Sequence, residues 1–292
     1  MKLVRFGPAG QEKPGILGDD GVVRDVSSIV TDFTPDNLSD AALDKLRNAD
    51  LASLPAAPEG VRLGAVVPRA GNFLCIGLNY VDHAHESNLP IPEEPIVFNK
   101  SPSSLSGPFD PVIVPAGSEK TDWEVEIAIV IGKDAYNVSE ADALSHVAGY
   151  TICNDVSERA WQIERGGQWT KGKSAPTFGP LGPWLVTRDE IADPQKLDMW
   201  LDVDGQRMQT GNTSTMIFTI AHIIAYLSKF MKLEAGDVIT TGTPPGVGMG
   251  KKPPRYLKAG ETVALGIEGL GRQEQAVVCL LYTSDAADDS LR

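Results

Sequence analysis

From about Pro68 onward, short apolar runs alternate with turns rich in glycine and proline. The chain holds 29 glycines and 21 prolines in 292 residues, and few stretches escape them long enough to build a long helix. That punctuation constrains the fold more than any other feature. Short strands at regular spacing favour a β-sandwich or β-roll over a parallel α/β sheet. VEIAIVIG, VAGYTICND, GDVITTG and ETVALGIEG read as strands, and WLDVDGQRMQ as a hairpin around Asp204-Gly205. Two helices are expected after the first section, over residues 141–147 and about 215–231. The expected class is α+β, mainly β.

Residues 1–65 read as a small β-rich unit. MKLVRF alternates like a strand, Asp20-Gly21 marks a hairpin turn, residues 40–51 look helical, and LPAAPEG looks like a linker. Residues 68–278 then form the main unit. Residues 279–292 end in TSDAADDSLR, an acidic stretch with no signal for chemistry, and are expected to be disordered.

The formal net charge of -13 makes nucleic acid and anionic membranes poor partners. Three cysteines, Cys75, Cys153 and Cys279, without repeated spacing, suggest free thiols in a reducing compartment. No long apolar h-region opens the chain, and the apolar stretch 216–233 is broken by His222, Ser228, Lys229 and Lys232. A cytoplasmic location is therefore expected.

The strongest chemical signal lies in Trp123-Glu124-Val125-Glu126-Ile127. Alternate residues of a strand share a face, so Glu124 and Glu126 would lie together on a mostly apolar strand, about 6.6 Å apart by strand rise. At an effective dielectric near 20 they repel by roughly 2–3 kcal/mol. A hard cation turns that repulsion into attraction, and oxygen ligands suit magnesium, manganese or calcium. A solvated edge strand with two outward glutamates is the competing reading. Asp155, between the strand VAGYTICND and the expected helix DVSERAWQ, supplies a third carboxylate, although such a position also suits an N-cap. On that helix Arg159 and Gln162 share a face and make a plausible clamp for an organic acid.

In Gly77-Leu78-Asn79-Tyr80-Val81-Asp82-His83-Ala84-His85-Glu86, a short helix would place His83 and Glu86 on one face. Glu86 would orient the imidazole, leaving its other nitrogen free to activate water. His85 points elsewhere. Asn88 and Pro90 end this helix, and the proline-rich SNLPIPEEP after it reads as a lid. The segment 166–174 is glycine-rich and basic but has no Walker-type helix behind it. Lys171 reads as a solvated loop lysine. In GDVITTGTPPGVG, backbone amides around Gly242 and the Thr243 hydroxyl could form a nest for a substrate carboxylate. His222 is expected to be buried or capping.

In this order, CIGLNYVDHAHE, KTDWEVEIAIVIGK, GYTICNDVSERAWQ, KGKSAPTFGPLGPWLVT and GDVITTGTPPGVG resemble the fumarylacetoacetate hydrolase family from about residue 70 to 278. The resemblance implies a mixed β-sandwich roll, usually a homodimer. It implies that Glu124, Glu126 and Asp155 bind Mg2+ or Mn2+, and that His83 and Glu86 form a lid dyad. Lys173 would be the active-site lysine, and Arg159, Gln162 and Thr243 would contact a small 2-keto acid. The GQEKPG start, the ERGGQW segment and the GMGKKPP loop resemble a subgroup associated with 2,4-diketo-3-deoxy sugar acids and with ureidoglycolate. Ala175-Pro176-Thr177 departs from the family, which often carries an Asp there. The implied activity is hydrolysis of a carbon–carbon bond in a 2,4-diketo acid, releasing pyruvate. Oxaloacetate decarboxylation, keto–enol isomerisation and ureidoglycolate lysis on the same metal site are the alternatives, with a non-catalytic binding protein as a further one.

Overall fold

The computed structural model describes residues 1–86 and 89–280. Asn88, expected to stop a helix, and residues 281–292 of the tail expected to be disordered from 279 lie outside the described residues, while Cys279 of that tail is in a strand and pairs with Val114. The fold is α+β and mainly β, built on mixed sheets. The larger sheet runs in the order Val23–Asp25, Lys13–Leu17, Lys2–Phe6, Gly179–Thr187, Val147–Asn154, Val125–Ile131, Val238–Thr240, Phe73–Gly77 and Ile96–Lys100. The short strand Leu105–Ser106 pairs with Gly179–Thr187 off this path. The second sheet has the order Gln206–Asn212, Asp198–Val203, Thr262–Ile267, Gly271–Cys279 and Val112–Val114.

The strand Val125–Ile131 shows how pattern becomes packing. Val125, Ile127, Ile129 and Ile131 enter a core shared with Met199, Leu201, Val203, Val263 and Leu265 of the second sheet. Ala128 and Val130 enter the opposite core, with Leu43 and Leu46 of the helix Asp40–Arg47. The strand is covered on both faces, which is why it reads as nearly continuous apolar sequence. The first 65 residues join the same sheet, because Lys2–Phe6 pairs with Gly179–Thr187.

The turn at Asp204-Gly205 adopts positive φ at both residues, as a two-residue hairpin with right-handed strand twist demands. Three helices are shorter than the sequence suggests. The helix expected to 51 stops at Arg47, where Asn48 closes its last turn. That expected over 141–147 is one turn, Glu140–Ala143, followed by a 3-10 turn, because Val147 is already in a strand. The third begins at Ile220, since Thr219 caps it and residues 213–215 form a separate 3-10 turn. Among the described residues, no helix is long and apolar enough to cross a membrane. Cys75, Cys153 and Cys279 are free thiols, the first two buried.

Sheet register decides where chemistry can occur. Antiparallel pairing sets Val125 opposite Asn154, and the Asp155 amide donates to the Glu124 carbonyl at 2.9 Å. The start of one strand and the end of its neighbour therefore meet. Val238–Thr240 runs antiparallel to Val125–Ile131 and parallel to Phe73–Gly77. Their C-terminal ends, leading to Gly242 and to the helix Val81–Glu86, open at this same edge.

Candidate active site

Glu124, Glu126 and Asp155 converge. One carboxylate oxygen from each lies within 4.8 Å of the others, and all three residues are buried. Around them stand Lys173, Arg159 and Lys100. Lys173 Nζ donates to Glu124 Oε2 at 2.6 Å and to Asp155 Oδ2 at 2.7 Å. Arg159 Nη2 donates to Glu124 Oε1 at 2.6 Å, its Nη1 to Gln162 Oε1 at 3.0 Å, and its Nε to Asp122 Oδ2 at 2.8 Å. Lys100 Nζ donates to Asp155 Oδ1 at 2.5 Å and to the Val156 carbonyl at 3.1 Å.

Two of these residues escaped the sequence reading. Asp122 stands two before Glu124, so the alternation that exposed Glu124 and Glu126 also pointed to it. Its carboxylate accepts from the Gly248 and Met249 amides at 2.7 and 3.0 Å, tying Arg159 to the loop beyond Pro244-Pro245. Lys100 ends the strand Ile96–Lys100 and lies 55 residues from Asp155, a separation that no local spacing reveals. Asp155 caps no helix. The helix here is Arg159–Ile163, and Glu158 is its cap, accepting from the Ala160 amide.

The chain reaches this geometry through close approaches. The one-turn helix Thr170–Lys173 crosses Arg159–Ile163 at Gly172, where a Cβ would lie 2.5 Å from the Gln162 nitrogen. That absence of a side chain lets Lys173 descend to the carboxylates. Lys171 stays exposed, bonded to the Arg165 carbonyl, as expected of a solvated lysine.

Electrostatics distinguish the carboxylates. Burial pushes the Glu124 carboxyl up, but the charges and hydrogen bonds of Lys173 and Arg159 overcome it and hold the group at about 2. Burial, then the charges of Asp155 and Glu124, push Glu126 well above the usual carboxylate range. The one hydrogen bond donated to Glu126 among the described residues comes from the Gly242 amide at 2.8 Å. Burial works against the Lys173 ammonium, yet Asp155 and Glu124 raise its pKa, so it stays charged.

With all four carboxylates ionised, as cation binding requires, Asp122, Glu124, Glu126 and Asp155 exceed Lys100, Lys173 and Arg159 by one negative charge in a buried cluster. A divalent cation reverses that to one positive charge, which a single substrate carboxylate neutralises. The donors are hard carboxylate oxygens, the chemistry that magnesium and manganese prefer. The residues present therefore fit such an ion.

His83 and Glu86 lie on the helix Val81–Glu86, with His83 Nδ1 3.3 Å from Glu86 Oε2. Glu86 also accepts the Gly246 amide at 3.0 Å. Burial raises the Glu86 carboxyl, but these two partners bring it below its ordinary value. His85 is exposed. His83, Glu86, Glu124, Glu126, Arg159, Gln162, Lys173, Gly242 and Thr243 all line one cavity of about 600 Å3. Two of the expected substrate contacts are already engaged: the Gly242 amide serves Glu126, and Thr243 Oγ1 donates to the Val125 carbonyl and accepts from Gln209 Nε2. His222 is neither buried nor capping. It is half-buried, 2.8 Å from Glu140 Oε1, and lies in an aromatic row with Phe218 and Tyr226.

Residues 72–278 match the domain described as fumarylacetoacetate (FAA) hydrolase C-terminal. A Burkholderia ambifaria protein whose name goes no further than hydrolase is 62% identical over 277 residues, 94% of this chain and 98% of that protein. Maleylpyruvate hydrolase from Sphingobium sp. SYK-6, solved with manganese(II) and pyruvate, aligns with a TM-score of 0.80 and 31% identity, covering 96% of this chain and 99% of that one. The 5-carboxymethyl-2-hydroxymuconate delta-isomerase of Mycobacterium smegmatis aligns at 0.77 and 32%, covering 97% and 100%. On the matched domain, and on a full-length relative this similar, the chain belongs to the fumarylacetoacetate hydrolase family.

Proposed function

We propose that this chain is a divalent-cation-dependent enzyme that adds water across the C3–C4 bond of a 2,4-diketo acid and releases pyruvate. One observation carries the reading: three buried carboxylates converge, and two of them, Glu124 and Glu126, line one cavity with a His–Glu pair. The manganese and pyruvate held by the Sphingobium enzyme support the same reading.

Mg2+ or Mn2+ on Glu124, Glu126 and Asp155 would supply Lewis-acid polarisation of the keto acid and a template for it. Arg159, held by Asp122 and steadied by Gln162, presents fixed positive charge to the substrate carboxylate. Glu86 accepts from His83 Nδ1–H and so leaves Nε2 as the base. Nε2 takes a proton from water as the water oxygen bonds to C4. The C3–C4 bond breaks, its electron pair passes into the enolate of pyruvate, and the acyl part leaves as a carboxylic acid. Lys173 places an ammonium beside the developing enolate charge. His83 returns the proton to C3, which balances the step.

The test is pyruvate release from acylpyruvates and 2,4-diketo-3-deoxy sugar acids with Mg2+ or Mn2+ present, and its loss in EDTA. No pyruvate from any of them would remove the hydrolase reading.

A second reading has the isomerase relative in its favour. There His83 would move a proton between carbons without water addition, and the product would be a tautomer in place of two fragments. The division into residues 1–65 and 68–278, a homodimeric assembly and a cytoplasmic setting belong to the same proposal. Limited proteolysis, sedimentation and fractionation test them.

A further inference from the structure

The cavity has two unlike ends. Its inner end gathers Glu124, Glu126, Arg159, Lys173 and the His–Glu pair. Beside them, Ile76, Leu78, Leu89, Ile96, Ile163 and Trp169 line it with mainly apolar side chains. Leu89, Ile96 and Ile163 are 51%, 37% and 47% exposed. Large apolar side chains scattered singly over a surface need no explanation, but three around one opening mark a binding surface.

Trp169 is the fixed part of this wall. Its ring lies 5.2 Å from the Phe98 ring, tilted by 59°. It covers Gly77 so closely that a Cβ there would sit 2.5 Å from the indole. Phe98 in turn lies 5.0 Å beneath the Lys173 ammonium. An aromatic surface thus begins beside the charged cluster and runs outward.

Polar side chains that could serve hydroxyl groups are scarce. Outside the charged cluster and the His–Glu pair, those lining the cavity among the described residues are Gln162, Thr243, Lys251 and Lys252. Gln162 Oε1 accepts from Arg159, and the Thr243 hydroxyl is engaged on both sides. Lys251 Nζ donates to the Met208 carbonyl at 3.2 Å. An ammonium donates and cannot accept. Gln162 Oε1 and Thr243 Oγ1 each keep one lone pair, too few for a polyhydroxylated chain, whose other hydroxyl protons would lose water without a side-chain acceptor here, and such unmade bonds are costly.

Building on the hydrolase reading, we propose that the acyl end of the substrate is an alkyl or aryl group packed against Trp169. The hydroxylated sugar-acid tail suggested by the subgroup resemblance does not suit this wall.

The test uses the full chain with Mg2+ and five compounds: acetylpyruvate, hexanoylpyruvate, benzoylpyruvate, a 2,4-diketo-3-deoxy sugar acid and an acylpyruvate ending in a second carboxylate. The hexanoyl and benzoyl compounds are expected to exceed the sugar acid in kcat/KM by about tenfold or more. Trp169→Ala and Ile163→Asn should each lower the benzoyl-to-acetyl ratio of kcat/KM by about threefold or more. Ile163 is exposed, so its variant reads the contact even if Trp169→Ala folds poorly. Preference for the sugar acid or the dicarboxylate, or ratios unchanged in a folded variant, overturns the inference. Calorimetric binding of the five compounds to His83→Asn protein is read independently of turnover. The same order supports the apolar subsite even if no pyruvate is ever released, and the reverse order overturns it.

Discussion

Glu126→Gln should make the cation-free protein more stable, and increasingly so as pH rises. Glu126 is buried, faces Glu124 and Asp155 across at most 4.8 Å, and has only a backbone amide as donor. Each of those carboxylate pairs repels by about 3 kcal/mol at an effective dielectric near 20. Burial first, and then that repulsion, raise the Glu126 pKa in the fold above the 4.5 of an unstrained glutamate. The folded state then holds a proton that the unfolded chain releases. Its contribution to stability is complete below about 4.5 and is lost as pH rises toward the folded value. The slope is about 1.4 kcal/mol per pH unit for one proton. Glutamine keeps the shape and can still accept from Gly242, but has no proton to exchange.

Urea unfolding in EDTA from pH 5 to 8 measures this directly. The wild-type chain should fall behind Glu126→Gln by about 1.4 kcal/mol for each unit until Glu126 ionises in the fold, and the two should then run parallel. Mg2+ at a hundred times its Kd should restore about 2.7 kcal/mol to the wild type and far less to the variant. The restoration should strengthen with pH, because the ion competes with the proton. Parallel curves throughout, or equal Mg2+ stabilisation of both proteins, would refute the reasoning about this cluster.

Other outcomes follow from the same geometry. His83→Asn should lower kcat by about 10²–10⁴ while leaving the Mg2+-induced shift in Tm intact, checked by pyruvate release beside thermal melts. Lys100→Met leaves Asp155 Oδ1 buried without its partner at 2.5 Å and should cost about 3–5 kcal/mol in urea unfolding. Asp122→Asn weakens the hold on Arg159 and on the Gly248 and Met249 amides. It should raise KM about tenfold or more, read from steady-state kinetics, with a smaller fall in kcat.

A nearly continuous run of β-branched residues marked the strand Val125–Ile131, and period two then put Glu124 and Glu126 on one face, because a one-residue slip would reverse every side chain. The hairpin at Asp204-Gly205 was legible for a similar reason: few residues tolerate two consecutive positive φ values. Helix ends were less legible. Whether residues 144–147 continue a helix or enter the sheet depends on the neighbouring strand Val125–Ile131, whose Ile131 pairs with Val147. The pairing of His83 with Glu86, and of Arg159 with Gln162, could be read from i, i+3 spacing alone.

The meeting of Asp155 with Glu124 and Glu126 was named from motif resemblance, while its physical cause is sheet register. Antiparallel pairing brings the end of one strand beside the start of the next. Lys100 and the hold of Asp122 on the 248–249 amides had no comparable local signature, since their partners lie 55 and more than 120 residues away. Nor does the sequence mark Trp169 as a wall of the cavity, a role it owes to Gly77 and Phe98 from other strands. Local chemistry thus set which residues could act. Long-range pairing, through the burial and charge it imposes, decided which carboxylate is held ionised by lysine and arginine and which is left short of a cation.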